Sequence, residues 1–114
     1  GYESIRHMGA LVQKMVNSVL DAFARFDADK ALDVARADTQ VDREYQSAMR
    51  EIVTYMMEDP RSIGRVMNII WALRSIERIG DHARNIAEHI IYLVKGLDVR
   101  HTSVHEIEMR LNKS

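Results

Sequence analysis

Two acidic pairs at four-residue spacing are the part of this sequence best suited to chemistry: Asp38 and Asp42 in "DTQVD", and Glu77 and Asp81 in "ERIGD". An α-helix turns once per about 3.6 residues, so each pair shares one stripe of its helix. Carboxylate oxygens without thiolate or imidazole suit hard ions such as Fe³⁺, Mn²⁺, Mg²⁺ or Ca²⁺. Asn85 and Glu88 prolong the second stripe in "ERIGDHARNIAEH". As single residues they read as surface, or, with Arg74 and Arg84, as outer support for an ion held by the four acids. A second neutraliser is equally at hand, because Arg36, Arg43, Arg74, Arg78 and Arg84 are near enough in sequence to pair with the same carboxylates. Helix acids are often simply solvated or paired in this way.

The elements that must position these groups read as helices. There is one proline and there are five glycines, so loops must be few and short. Ala, Leu, Met, Arg and Glu at 3.6-type spacing predict an all-α domain. A first helix over residues 3–26 turns Met8, Leu11, Met15, Val19, Ala22 and Phe26 inward. Asp27 then caps a second helix, reaching about Met57, whose inner face carries Ala31, Val34, Val41, Tyr45, Ala48, Met49, Ile52 and Met56. Asp59 caps a third, with Pro60 in its first position and Gly96 beyond its end. Val66, Ile69, Leu73, Ile76, Ala83, Ala87, Ile90 and Ile91 form its buried side. Gly80, in the middle of that helix, marks either a close backbone approach or a tolerated weak spot. The expected architecture is an antiparallel three-helix bundle over residues 1–96. The tail, 97–114, adds at most a short helical segment near 103–112.

Register brings the acids together. With the turn at Asp59 and Pro60, facing residues of the second and third helices pair outward from Met56 with Ile63 and Met49 with Ile70. Asp42 then falls opposite Glu77, and Asp38 opposite Asp81. The seam Ala31–Asp38–Tyr45–Ile52 places Asp38 where packing asks for an apolar residue. Carboxylates facing one another at such a seam raise each other's pKa and repel unless a cation or an arginine intervenes.

Other function classes find little support. A net charge of −1 with no basic block gives no case for nucleic acid. Cysteine is absent, which removes disulfides and thiolate metal sites. No apolar run approaches the about 18 residues of a membrane span, and the first residues lack a secretory pattern, so a cytoplasmic location is expected. There is no Gly-rich phosphate loop, no nucleophile arrangement and no E-x-x-H pair of the di-iron oxidases, so no catalysis is expected. His82 and His89 lie some 80–100° round the helix from the acidic stripe and read as surface or partner contacts. His7, His101 and His105 lie near the chain ends. Met15, Met49, Met56, Met57 and Met67 read as core filling, and Trp71 as a core edge or an oligomer contact.

At these residues the sequence resembles the PhoU family, accessory proteins of bacterial phosphate transport. The resemblance rests on "VDREYQ" (41–46), "TYMMEDPRSI" (54–63), "RSIERIGDHARNIAE" (74–88) and "YLVKGLDVRH" (92–101). It implies one of two similar three-helix halves, the C-terminal one, because a whole member is about twice this length and carries the acidic motif twice. It implies metal at Asp38, Asp42, Glu77 and Asp81, iron or zinc in the family, with Mg or Mn allowed by the ligand type. It also implies a cytoplasmic, homo-oligomeric adaptor that restrains the phosphate-starvation response. Such an adaptor links the transporter's ATPase subunit to a phosphate-sensing histidine kinase. Two alternatives stand beside it: a metal-free helical dimerisation module, and a metal-dependent enzyme acting on phosphate compounds.

Overall fold

The computed structural model describes residues 2–96 and residue 109; the expected domain boundary and the tail's helical segment otherwise lie outside the described residues. Three helices follow one another: α1 (Tyr2–Arg25), α2 (Ala28–Glu58) and α3 (Ile63–Lys95). They form the expected all-α antiparallel bundle, with no strand among the described residues.

Tight turns fix the order of the helices. Arg25 ends α1, and Phe26 adopts a left-handed φ of 51°, while the Asp27 amide donates to the Ala22 carbonyl at 2.9 Å. The Asp27 carboxylate then accepts from the Lys30 amide at 3.0 Å, satisfying one of the orphan donors at the start of α2. Asp21 binds Arg25 at 3.1 Å and Lys30 at 2.6 Å, tying the two sides of the turn together. Phe26 therefore does not belong to the inner face of α1, as periodicity suggested. The left-handed turn throws its ring outward, where it stacks against Phe23 with centroids 6.4 Å apart.

The second turn differs from expectation by one feature. Pro60–Ser62 winds as a single 3-10 turn before α3 begins at Ile63. Pro60 has no N–H, Asp59 Oδ1 accepts from the Arg61 amide at 3.2 Å, and Ser62 Oγ donates to the Asp59 carbonyl at 2.6 Å. That local bonding tightens the winding, so Asp59 caps the 3-10 turn and not α3 itself. At the other end Gly96 takes φ 66°, ψ 26° and donates to the Tyr92 carbonyl, the left-handed stop expected of it.

The core is a column of aliphatic and alanine side chains, including Met8, Val19, Val41, Leu73 and Ile91. Leu11, Tyr45, Met49, Met56, Ile69 and Ile76 line its margin. Gly80 shows how tightly the helices meet: a Cβ there would lie 3.3 Å from Val12 Cγ2 and 3.7 Å from both Val41 Cγ1 and Asp38 Oδ1. Gly80 is thus a point of close approach for all three helices, where even a methyl group is crowded.

The helices differ in length, at 24, 31 and 33 residues. With Val12 level with Gly80, the tip of the α2–α3 hairpin runs past the start of α1. Val53, Tyr55, Met57, Ile63 and Met67 are exposed on that tip. Met57 and Met67 are therefore not core filling, because no third helix reaches them.

Candidate metal centre

Asp38 lies at the heart of the candidate site. It is 3 % exposed, on the α2 seam where Ala31 and Ile52 are also buried. Its Oδ2 accepts from Arg84 Nη1 at 3.3 Å, across the α2–α3 interface. Its Oδ1 has no hydrogen-bond partner and faces the α3 backbone at Gly80. Burial pushes the Asp38 carboxyl above its usual range, and the Asp42 and Asp81 charges add to this, while Arg84 opposes it.

Arg84 is shared. Its Nε donates to Glu88 Oε1 at 3.0 Å, one turn further along α3. Burial works against its charge, but the bonds to Glu88 and Asp38 outweigh that and raise its pKa. Glu88 is 5 % exposed, so it is not the surface residue its spacing suggested. The R-x-x-x-E spacing of Arg84 and Glu88 was the available signal, since i, i+4 partners face one another on a helix.

The remaining acids are more open. Glu77 is half-buried, and Asp42 and Asp81 are exposed, as is Asn85. Burial raises the Glu77 pKa, and Asp42, Asp38 and Asp81 raise it further, against a smaller opposing pull from Arg74. The hairpin register therefore brings these four carboxylates within each other's field. It does not bring them into one ligand set: among the described residues no three His, Asp or Glu side chains are placed to hold a metal ion together. The donor chemistry still suits a hard cation, because Asp38 Oδ1 is a buried carboxylate oxygen left without a partner.

Beside the acids runs a shallow groove lined by Tyr45, Trp71, Arg74, Ser75, Glu77, Arg78 and Asp81. Trp71 is 60 % exposed, so it walls this groove and is not a core edge. His82 and His89 are exposed, as expected, while His7 Nδ1 lies 3.3 Å from Glu44 Oε1, a pairing its place near the chain start did not suggest.

The shifts carry a pH signature. A carboxyl whose pKa rises on folding contributes stability that is complete below its unfolded value, about 4, and lost as pH rises through the folded one. Glu77→Gln removes that loss. At pH 7 it should stabilise the protein by roughly 0.5 kcal/mol, a modest gain because Glu77 is partly solvated. The gain should vanish near pH 4, about where the unfolded carboxyl titrates. Urea unfolding at the two pH values checks this; a loss of stability at pH 7 would mean that Arg74 already neutralises Glu77.

Comparison with known proteins agrees with this architecture. Residues 5–90 match the family model described as PhoU domain. The phosphate-specific transport system accessory protein PhoU homolog of Pseudomonas aeruginosa is 73 % identical over 101 residues, covering 89 % of this chain and 42 % of that protein. The corresponding PhoU of Escherichia coli K12 is 46 % identical over 108 residues, covering 95 % of this chain and 45 % of that one. The crystal structure of PhoU from Pseudomonas aeruginosa superposes with a TM-score of 0.84 at 72 % identity, over 85 % of this chain and 46 % of that one. The chain thus spans rather less than half the length of the relatives it matches. With the helical order, the hairpin register and the family match in agreement, the chain belongs to the PhoU family.

Proposed function

We propose that this chain is a regulatory accessory of phosphate uptake, acting in the cytoplasm through protein contacts and not through catalysis. The observation that carries this reading is the match to the PhoU domain over nearly the whole described bundle. Its relatives are named as accessory proteins of phosphate-specific transport. In this reading the chain negatively regulates the phosphate-starvation response by linking the transporter's ATPase subunit to a phosphate-sensing histidine kinase, and it self-associates. No helix among the described residues is long and apolar enough to cross a membrane, so contact with either partner would run through their water-exposed parts. Co-purification of the chain with each partner, expressed without its membrane segments, tests the linkage. Retention of neither would remove this role from the half-length chain.

The acidic stripe enters the proposal as a cation site. Asp38 Oδ1 would supply the buried ligand, and Glu77, Asp42 and Asp81 would close on it from the exposed side. A bound ion, iron or zinc as in the resemblance or Mn²⁺ or Mg²⁺ by ligand type, would supply charge neutralisation and a cross-link between α2 and α3. Arg74, Arg84, Asn85 and Glu88 would surround it. Stripped of metal and titrated with Mn²⁺ or Zn²⁺, the protein should melt at higher temperature, with the rise lost in Asp38→Asn, Asp81→Asn. Ionised carboxylates bind the ion, so the rise should shrink as pH falls. No rise with any ion would favour the second reading, a metal-free interaction module. Arg84 on Asp38 and the dispersed acids speak for that alternative.

A further inference from the structure

We infer that Arg84 is the resident counter-cation of the acidic stripe, which an incoming divalent cation must push off Asp38 and leave on Glu88 in order to bind. The inference rests on the cation reading above, but concerns a different residue and a different observation. Arg84 divides its guanidinium between two buried carboxylates on different helices, with Nη1 3.3 Å from Asp38 and Nε 3.0 Å from Glu88. The shorter bond is to Glu88, on the same helix as Arg84 and one turn away. The longer crosses to α2 and takes only one of the two Asp38 oxygens.

The other oxygen, Oδ1, is enclosed and unpartnered. It faces Gly80, between Glu77 and Asp81, the side from which the remaining acids approach. A partner is therefore missing on the metal side of Asp38 and already present on the far side. A divalent ion at Oδ1 would place its charge close to the guanidinium, in a partly buried region where like charges repel strongly. Arg84 has somewhere to go: its Nε stays on Glu88 while Nη1 swings towards solvent, where its side chain is already 29 % exposed. Glu88 thus acts as the parking partner, which gives a buried acid outside the four-carboxylate stripe a role. A monovalent ion brings too little charge to displace a bidentate-capable guanidinium, so the arrangement selects multivalent cations.

The test uses the whole chain, stripped with chelator and titrated with Zn²⁺ or Mn²⁺ by calorimetry, with thermal unfolding run in parallel. Arg84→Gln should lower the melting temperature in chelator yet bind the ion roughly tenfold tighter than the wild type, because a competing charge is gone. Glu88→Gln should weaken binding, since Arg84 is then committed to Asp38. A residue that merely held the fold together would move stability and affinity in the same direction. In the wild type at Zn²⁺ saturation, the nuclear magnetic resonance signal of the Arg84 Nε–H should keep its bonded position while the Nη groups become free to exchange. Equal affinity in wild type and Arg84→Gln, or Arg84 still bonded to Asp38 at saturation, overturns the inference while leaving the cation site intact. Absence of binding in all three proteins overturns both.

Discussion

Arg84→Met should destabilise the metal-free protein by about 3 kcal/mol at pH 7, the size expected when one partner of a buried ion pair is removed. Methionine fills much the same volume, so the loss reports charge and hydrogen bonding more than packing. Two carboxylates, Asp38 and Glu88, would be left among apolar neighbours with no partner. Asp38 already has a raised pKa, because burial and Asp42 outweigh Arg84. Without Arg84 it rises further, and a group of that kind destabilises the folded state progressively as pH climbs through its folded pKa. The deficit should therefore be largest at neutral pH and shrink towards about pH 4, where the unfolded carboxyl takes up its proton too. Urea unfolding at pH 7 and pH 5 measures it. A deficit that is small and independent of pH would show that the bonds in the structure contribute little.

Gly80→Leu should also cost about 3 kcal/mol, through a different mechanism. The first carbon added at Gly80 would already stand 3.3 Å from Val12 Cγ2, and the rest of a leucine side chain has no space between α1 and α2. Gly80→Ala is the control. Its gain in helix propensity, about 1 kcal/mol, is offset by the tight Val12 contact, so its stability should stay near the wild-type value. Leucine would also wedge α3 away from Asp38, and the cation-dependent rise in melting temperature should go with it. Thermal unfolding of the three proteins, with and without Mn²⁺, decides the matter. A Gly80→Leu protein as stable as the wild type would mean that α3 does not approach its neighbours there.

The parts of this molecule that were readable in advance are those governed by a single helix or by one register. Asp38 on its apolar seam, Gly96 as a left-handed stop and Asp27 as a cap each follow from local spacing and backbone chemistry. Gly80 was open between two meanings, and the packing of Val12 and Val41 around it settled on close approach. Glu88 was misread because its burial is decided by α2: by the same register it stands level with Ala31 and Leu32, so an apolar wall covers it. Phe26 was misread because an apolar residue in phase with a helix carries no mark that the helix has already ended. The site was legible in its elements and not in its partners. Spacing showed which acids would meet, but which arginine would answer them depended on side-chain reach across the hairpin.

The unequal helix lengths divide the bundle into parts that hold together by different means. Around Gly80 every helix has two others against it, and opening any one exposes core. At the hairpin tip α2 and α3 have only each other, with Val53, Met57 and Ile63 already in water. Little further apolar surface is exposed when the tip opens, so its backbone hydrogen bonds break at a free energy well below that of global unfolding. The tip can open and close repeatedly while Asp38, Gly80 and Arg84 stay fixed. Rigidity at the acidic stripe and local opening at the hairpin end are thus both consequences of where α1 begins.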